Sequence, residues 1–184
     1  MRKTLFVLFA FSVHCTNAQS FNSPGAFNVD SFLTAKRTAP LGKPFPSFWA
    51  TTGGRTVSND LFNGKVVLIN FWFEGCLPCM AEMDALNSLQ QQLDTTKDFL
   101  FVSFTYDNAA AIKRVKGKYS LTFGVLSTSQ QECRRLNFDN GYPTHMILDR
   151  TGTIKYLHSG GSTNKEKAKA FIMSTLLPEI TSLL

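Results

Sequence analysis

The chain has 184 residues, 43% of them hydrophobic and 17% charged, with four cysteines and 19 Lys+Arg against 13 Asp+Glu. That length suits one domain of ordinary size, able to bury about two-thirds of its surface without covalent staples. Four cysteines exclude a disulfide-dense mini-protein, the hydrophobic fraction excludes a disordered chain, and no internal period signals a repeat architecture.

Met1 to Ala18 has the three parts of a secretory signal: the charged pair Arg2-Lys3, the apolar run Leu5 to Phe11, and the small residues Thr16-Asn17-Ala18 at a cleavage site. Cleavage there starts the mature chain at Gln19 and lowers the net charge from +6 to +4, since 17 positives then face 13 negatives. An uncleaved anchor is the rival, but the apolar run is about half the ~20 residues that a spanning helix requires. Cys15 suggests lipid attachment, yet His14 before it fits a lipoprotein signal poorly. The expected location is therefore periplasmic or secreted, where disulfides persist, with no stable membrane insertion once the signal is gone.

Residues 19–40, rich in Ser, Asn and Thr, read as an extended lead-in, and 41–184 as the working domain. Phe45 to Ala50 reads as a short strand, Gly53-Gly54 as a hairpin turn, and Arg55-Thr56-Val57 as its return. Lys65 to Phe73 is continuously apolar and β-branched, the mark of a buried central strand. Pro78 falls near the first turn of the next helix, where its missing N–H costs nothing. That helix runs through Met80, Met83, Leu86, Leu89 and Leu93 at spacings of three or four. Phe99 to Tyr106 is a second strand and Ala109 to Tyr119 a second helix. This helix carries the densest basic run, Lys113, Arg114, Lys116 and Lys118. A solvated helix face explains that run, and no interleaved aromatics or motif points to nucleic acid. Phe123 to Leu126 is extended, Ser129 to Leu136 helical, and Thr144 to Leu148 and Ile154 to His158 are strands joined by a tight turn at Asp149 to Gly152. Lys165 to Leu183 closes as one helix. The alternation specifies an α/β domain with a central mixed sheet, helices on both faces and an N-terminal β-hairpin extension.

Cys76-Leu77-Pro78-Cys79 follows the central strand and opens a helix. Alone, C-x-x-C is half a zinc site, a structural disulfide or a redox pair. Zinc asks for a second ligand pair, and Cys133, His145 and His158 stand in no paired spacing. A structural bridge across so short a loop constrains the unfolded chain little. A helix start stabilises a thiolate, which is the nucleophile. Cys76, the first cysteine, meets that field more directly, so it attacks and Cys79 resolves. Tyr142-Pro143-Thr144 is the second element; an X-Pro bond can be cis at modest cost, though Pro143 taken alone reads as an ordinary turn proline.

Asn70-Phe71-Trp72, Cys76-Leu77-Pro78-Cys79, Glu82 and Gly141-Tyr142-Pro143-Thr144 together resemble the thioredoxin-like fold, in its extracytoplasmic TlpA/ResA-like branch of thiol–disulfide oxidoreductases. The resemblance runs from about Gly42 to the last helix. It implies that Pro143 is cis and packs beside the cysteines, that Tyr142, Pro143, Thr144 and Trp72 help to bind the client, and that Glu82 is the acidic residue near the pair. It implies disulfide-containing client proteins and an upstream thiol electron donor such as a membrane reductant carrier; with no second ligand pair in the sequence, no cofactor or metal is expected. Three positions depart from the pattern. Gly75 stands where relatives commonly carry Trp, opening access to Cys76; Glu74 replaces a small polar residue; Asp84 replaces a helix-kinking proline.

Carboxylates near Cys76 disfavour its thiolate, and a disfavoured thiolate makes the couple more reducing. Glu74 and Glu82 therefore point to disulfide reduction, and Glu82 also stands at i+3 from Cys79, placed to move its proton. Cys133, the odd thiol, reads as a small buried apolar residue, with a third redox thiol or an intermolecular disulfide partner as the alternative. His145 could tune the pair or sit as an ordinary strand histidine. Met80 and Met83 read as core. The other function classes are a copper-binding or copper-delivery module using Cys76, Cys79 and His145, and a peroxiredoxin-type peroxidase. The peroxidase's T-x-x-C pattern fails at Phe73.

Overall fold

A computed structural model describes residues 28–184. The expected signal at 1–18, with Cys15, and the start of the lead-in lie outside the described residues. The rest of the lead-in is not extended. Val29–Thr38 forms a helix, α1, capped by the Asn28 side chain accepting from Ser31 N–H at 2.9 Å. An Asx cap starts a helix wherever the following residues tolerate it; composition alone hides this.

The hairpin expected next is present as β1 (Ala50–Thr52) and β2 (Arg55–Val57), paired antiparallel. Its first strand is shorter than expected, because Phe45 to Phe48 find other partners. Pro44 and Pro46 have no N–H to give, and the Asn59 side chain accepts from Phe48 N–H at 2.9 Å and donates to the Pro46 carbonyl at 3.2 Å. The segment is thereby held irregular with Phe45 and Phe48 buried.

The central strand β3 (Val66–Phe71) is buried at all six positions. Beyond it come α2 (Leu77–Leu93), β4 (Phe99–Thr105), α3 (Ala109–Tyr119), β5 (Gly124–Ser127), α4 (Gln130–Leu136), β6 (Thr144–Leu148) and β7 (Ile154–Ser159). The seven strands form one sheet in the order β2-β1-β5-β4-β3-β6-β7. β3, β4 and β5 are parallel, while β6, β7 and the hairpin run antiparallel to their neighbours. Period-two alternation along β3 divides the interior in two. Val66 and Leu68 face Met83, Leu86 and Leu89 of α2 with the C-terminal helices. Val67, Ile69 and Phe71 face Phe45, Phe48, Phe62, Cys133 and Leu136. Each fully buried large side chain contributes about 1.5–3 kcal/mol, so the two layers fix β3, and with it the start of α2.

The expected last helix is interrupted. α5 (Lys165–Phe171) passes through a π turn at Ile172–Leu176 before α6 (Leu177–Leu183). Pro178 cannot donate to Ser174, and the Leu177 N–H bonds Ile172 O one residue further back instead. Among the described residues no helix is long and apolar enough to cross a membrane.

Candidate active site

Cys76 is the N-cap of α2, and its Sγ lies 3.3 Å from the Cys79 N–H. The sulfur thus occupies the place where a helix offers an unpaired donor and the positive end of its dipole. Cys76 and Cys79 are joined as a disulfide, with Cα atoms 5.2 Å apart. Cys76 is 6% exposed and Cys79 0%, so a second sulfur can approach only the first cysteine.

Glu82 follows Cys79 by one helical turn and is buried, not solvated. Its Oε1 accepts from Asn70 Nδ2 at 3.2 Å, and its Oε2 lies 3.3 Å from His145 Nε2. Asn70 and His145 are paired across β3 and β6, both fully buried. A polar trio is therefore built into an apolar layer under the disulfide. His145 is the member whose surroundings sequence spacing left open, and it faces Glu82.

The Tyr142–Pro143 bond is cis, as the resemblance implies. Pro143 and Pro78, which stands between the two cysteines in the chain, both border Gly161: a Cβ there would meet the Pro143 ring at 2.8 Å and Pro78 Cβ at 3.4 Å. Gly160 N–H donates to Pro143 O at 2.9 Å. On the other side the Gly141 carbonyl accepts from Asn137 Nδ2 at 2.9 Å and Thr144 Oγ1 at 2.8 Å. Thr144 is buried with its hydroxyl used in this way, so its side chain holds the loop rather than meeting a client. Trp72 is likewise not a surface contact. It is fully buried, and its indole N–H donates to Ser103 Oγ at 3.0 Å. Tyr142 is half-buried and meets Phe73 and Tyr106 in an aromatic cluster with ring centroids 5.3 and 5.7 Å away.

The departures have structural consequences. Gly75 is exposed, but a Cβ there would sit 3.2 Å from the Phe73 ring, so Phe73 covers part of the space that the glycine opens. Glu74 does not act as a bare charge. Its carboxylate takes two bonds from Arg114, at 2.8 and 2.7 Å, and the Arg114 hydrogen bond holds it below the usual carboxylate range. Asp84 pairs with Lys165 at 3.0 Å, linking α2 to α5, and α2 continues through it. Met83 is fully buried and Met80 packs on the same core. Cys133 is buried on the opposite side of the sheet. Three contributors were missed in the sequence: Asp107, which accepts from the Glu74 N–H at 2.6 Å, Asn137, and Gly161. A Gly-Gly step just after a strand is the one signal that could have indicated the last.

The Redoxin family pattern matches residues 40–172. The Thioredoxin-like protein YneN of Bacillus subtilis (strain 168) is 34% identical over 131 residues, covering 68% of this chain and 75% of that protein. The Thiol-disulfide oxidoreductase ResA of Geobacillus kaustophilus (strain HTA426) is 23% identical over 137 residues, 74% of this chain and 79% of its own. Among solved structures, a thioredoxin-family thiol:disulfide interchange protein from Chlorobium tepidum TLS superposes with a TM-score of 0.58 at 22% identity, covering 74% of this chain and 97% of that one. A secreted Mycobacterium tuberculosis disulfide oxidoreductase, homologous to E. coli DsbE, gives 0.58 at 19% identity over 69% and 95%. These likenesses establish the thioredoxin-like fold. With a cysteine pair at disulfide distance on the helix that follows its central strand, the chain belongs to the Redoxin family, as a thiol–disulfide oxidoreductase.

Proposed function

We propose that residues 41–184 act as an extracytoplasmic reductase of protein disulfides, delivered by the signal at 1–18. The observation that carries the reading is the asymmetry of the pair: Cys76 holds the helix N-cap and the only exposed edge, and Cys79 is sealed beneath it. In the reduced enzyme the Cys76 thiolate attacks one sulfur of a client disulfide, forming a mixed disulfide and releasing one client thiolate. Cys79 then loses its proton to Glu82 and attacks Cys76 Sγ. The second client thiolate leaves and the Cys76–Cys79 disulfide forms. Two electrons have passed to the client, and an upstream dithiol donor restores them. Tyr142 and the cis-Pro143 loop hold the client backbone beside the pair. The buried Glu82 carboxylate disfavours thiolate formation near it, which supports the reducing direction, whereas Glu74 is compensated by Arg114 and adds little.

Insulin reduction with a dithiol donor tests this. The wild type should reduce insulin, Cys76→Ser should not, and Cys79→Ala should trap mixed disulfides from an extracytoplasmic extract. A glutathione titration placing the potential near that of a strong oxidant, about −120 mV, would overturn the direction.

A further inference from the structure

His145 is fully buried on β6, two residues after Pro143, and gives both ring nitrogens to side chains. Asn70 Nδ2 can only donate; it lies 3.2 Å from Glu82 Oε1 and 3.4 Å from His145 Nδ1. The carboxylate selects this amide orientation, since the opposite one would set oxygen against oxygen. A nitrogen that accepts from Asn70 carries no proton, so the ring proton sits on Nε2, 3.3 Å from Glu82 Oε2 and 3.2 Å from Oε1. Glu82 is thus held by one donor from β3 and one from β6, one helical turn beyond Cys79. Asn70 Oδ1 is left without a partner, a cost borne to keep the amide facing the carboxylate. Glu82 also lines a cleft of about 390 Å³ with His158, Gly160, Gly161, Lys167 and Phe171, which gives the buried trio a route to water.

We propose that His145, with Asn70, is a positioning residue for Glu82. It orients the carboxylate to take the Cys79 proton during resolution and to pass it to water in the adjoining cleft. The proposal rests on the reading of Glu82 as the acceptor of that proton. A misplacement of about 1 Å in such a group costs on the order of 100-fold in rate, so removing a donor should act on the resolving step alone.

Reduced enzyme mixed with the chromogenic disulfide dithiobis(nitrobenzoate) releases one aryl thiolate on Cys76 attack and a second when Cys79 resolves the mixed disulfide. His145→Leu should slow the second release by about 10- to 100-fold and leave the first within about twofold. His145→Gln, whose amide can donate in place of Nε2–H, should recover most of the rate. Asn70→Ser should slow the same step less, and it carries the test if His145→Leu does not fold. The proposal is overturned if the second release keeps its wild-type rate in these variants, if both releases slow together, or if Gln fails to rescue. A wild type that releases one equivalent only would instead overturn the dithiol mechanism, and an unchanged Glu82→Gln would overturn the role of Glu82.

Discussion

The two layers of the molecule each bury cysteine sulfur, and they do so in opposite ways. On the α2 side, Cys76 and Cys79 sit at a helix start above Asn70, Glu82 and His145. On the other side, Cys133 is fully buried with Phe71, Phe104 and Leu136 in the same apolar cluster, and burial pushes its thiol up to about 12. Tyr142 borders both layers, so the two environments are close in space. Burial therefore does not make a thiol inert or reactive; what decides it is whether the surroundings can receive a negative charge and a proton. A helix N-terminus can accommodate the charge and a carboxylate can take the proton, whereas a phenyl-lined layer does neither.

The sharpest way to break this comparison is to remove sulfur on each side. Cys76→Ser should reduce insulin turnover to the uncatalysed background. Cys133→Ser should leave it within about twofold while costing about 1–3 kcal/mol of stability, because a hydroxyl is then buried among apolar groups. Denaturant melts with an insulin assay check both. Rapid labelling of Cys133 by a thiol reagent in the folded, oxidised enzyme would show that the apolar layer does not seal it.

The comparison also depends on how closely the cis-proline loop sits on the pair. Gly161→Ala places a Cβ 2.8 Å from the Pro143 ring, too close to be absorbed without moving the loop. A stability loss of about 1–3 kcal/mol is expected, with insulin turnover falling alongside it. Gly75→Ala meets only the edge of the Phe73 ring at 3.2 Å on an exposed stretch, and should change both quantities less. Equal effects at the two glycines would mean that Pro143 is not held by its contact with residue 161.

The contrast between those glycines also marks what the sequence could and could not reveal. The pair, its helix and β3 are legible because each rests on a local signal: an apolar run, a helical period, a C-x-x-C at their junction. α3 is legible to its end residues, Ala109 and Tyr119, for the same reason. The trio under the pair is half legible. Glu82 is reached through the family resemblance and its i+3 spacing from Cys79, but its burial and its bond to His145 depend on strand register between β3 and β6. Trp72 and Thr144 misled because a motif position does not say which way a side chain points. α1 had a signal that composition masked, with Val29, Phe32 and Leu33 at helical spacing behind Asn28. The π turn and the irregular Phe45 segment follow from Pro178 and Asn59, whose effects appear only once partners are assigned.

Alkaline pH probes the apolar layer by itself. The Cys133 thiol is raised by burial from an ordinary value of about 8.5 to about 12. Below pH ~8.5 folded and unfolded chains both hold this proton, so it adds no slope. As pH rises above that, the unfolded chain releases it while the folded chain keeps it, and stability falls by at most about 1.4 kcal/mol per pH unit until about pH 12. Tyr106 and Tyr142, also raised by burial, add their slope only above about pH 10. Denaturant titrations of the oxidised enzyme between pH 8.5 and 10 should therefore flatten in Cys133→Ala. An unchanged slope would place the thiol in a polar setting.

The smallest effect tests the polar side from its rim. Arg114→Gln frees the Glu74 carboxylate two residues before Cys76 without touching the core. Both side chains of that ion pair are solvated, so the melting temperature should hardly move. The freed charge opposes the Cys76 thiolate, the reduced couple is disfavoured, and the potential should become more negative by on the order of 10 mV. The shift should fade as salt is raised, because screening acts on exposed charges first. Glu82→Gln should move the potential the other way and further, with little salt dependence, because that carboxylate is buried. Equal shifts of equal salt dependence would mean that the pair senses its rim as strongly as the trio beneath it, and the distinction between the two settings would fail.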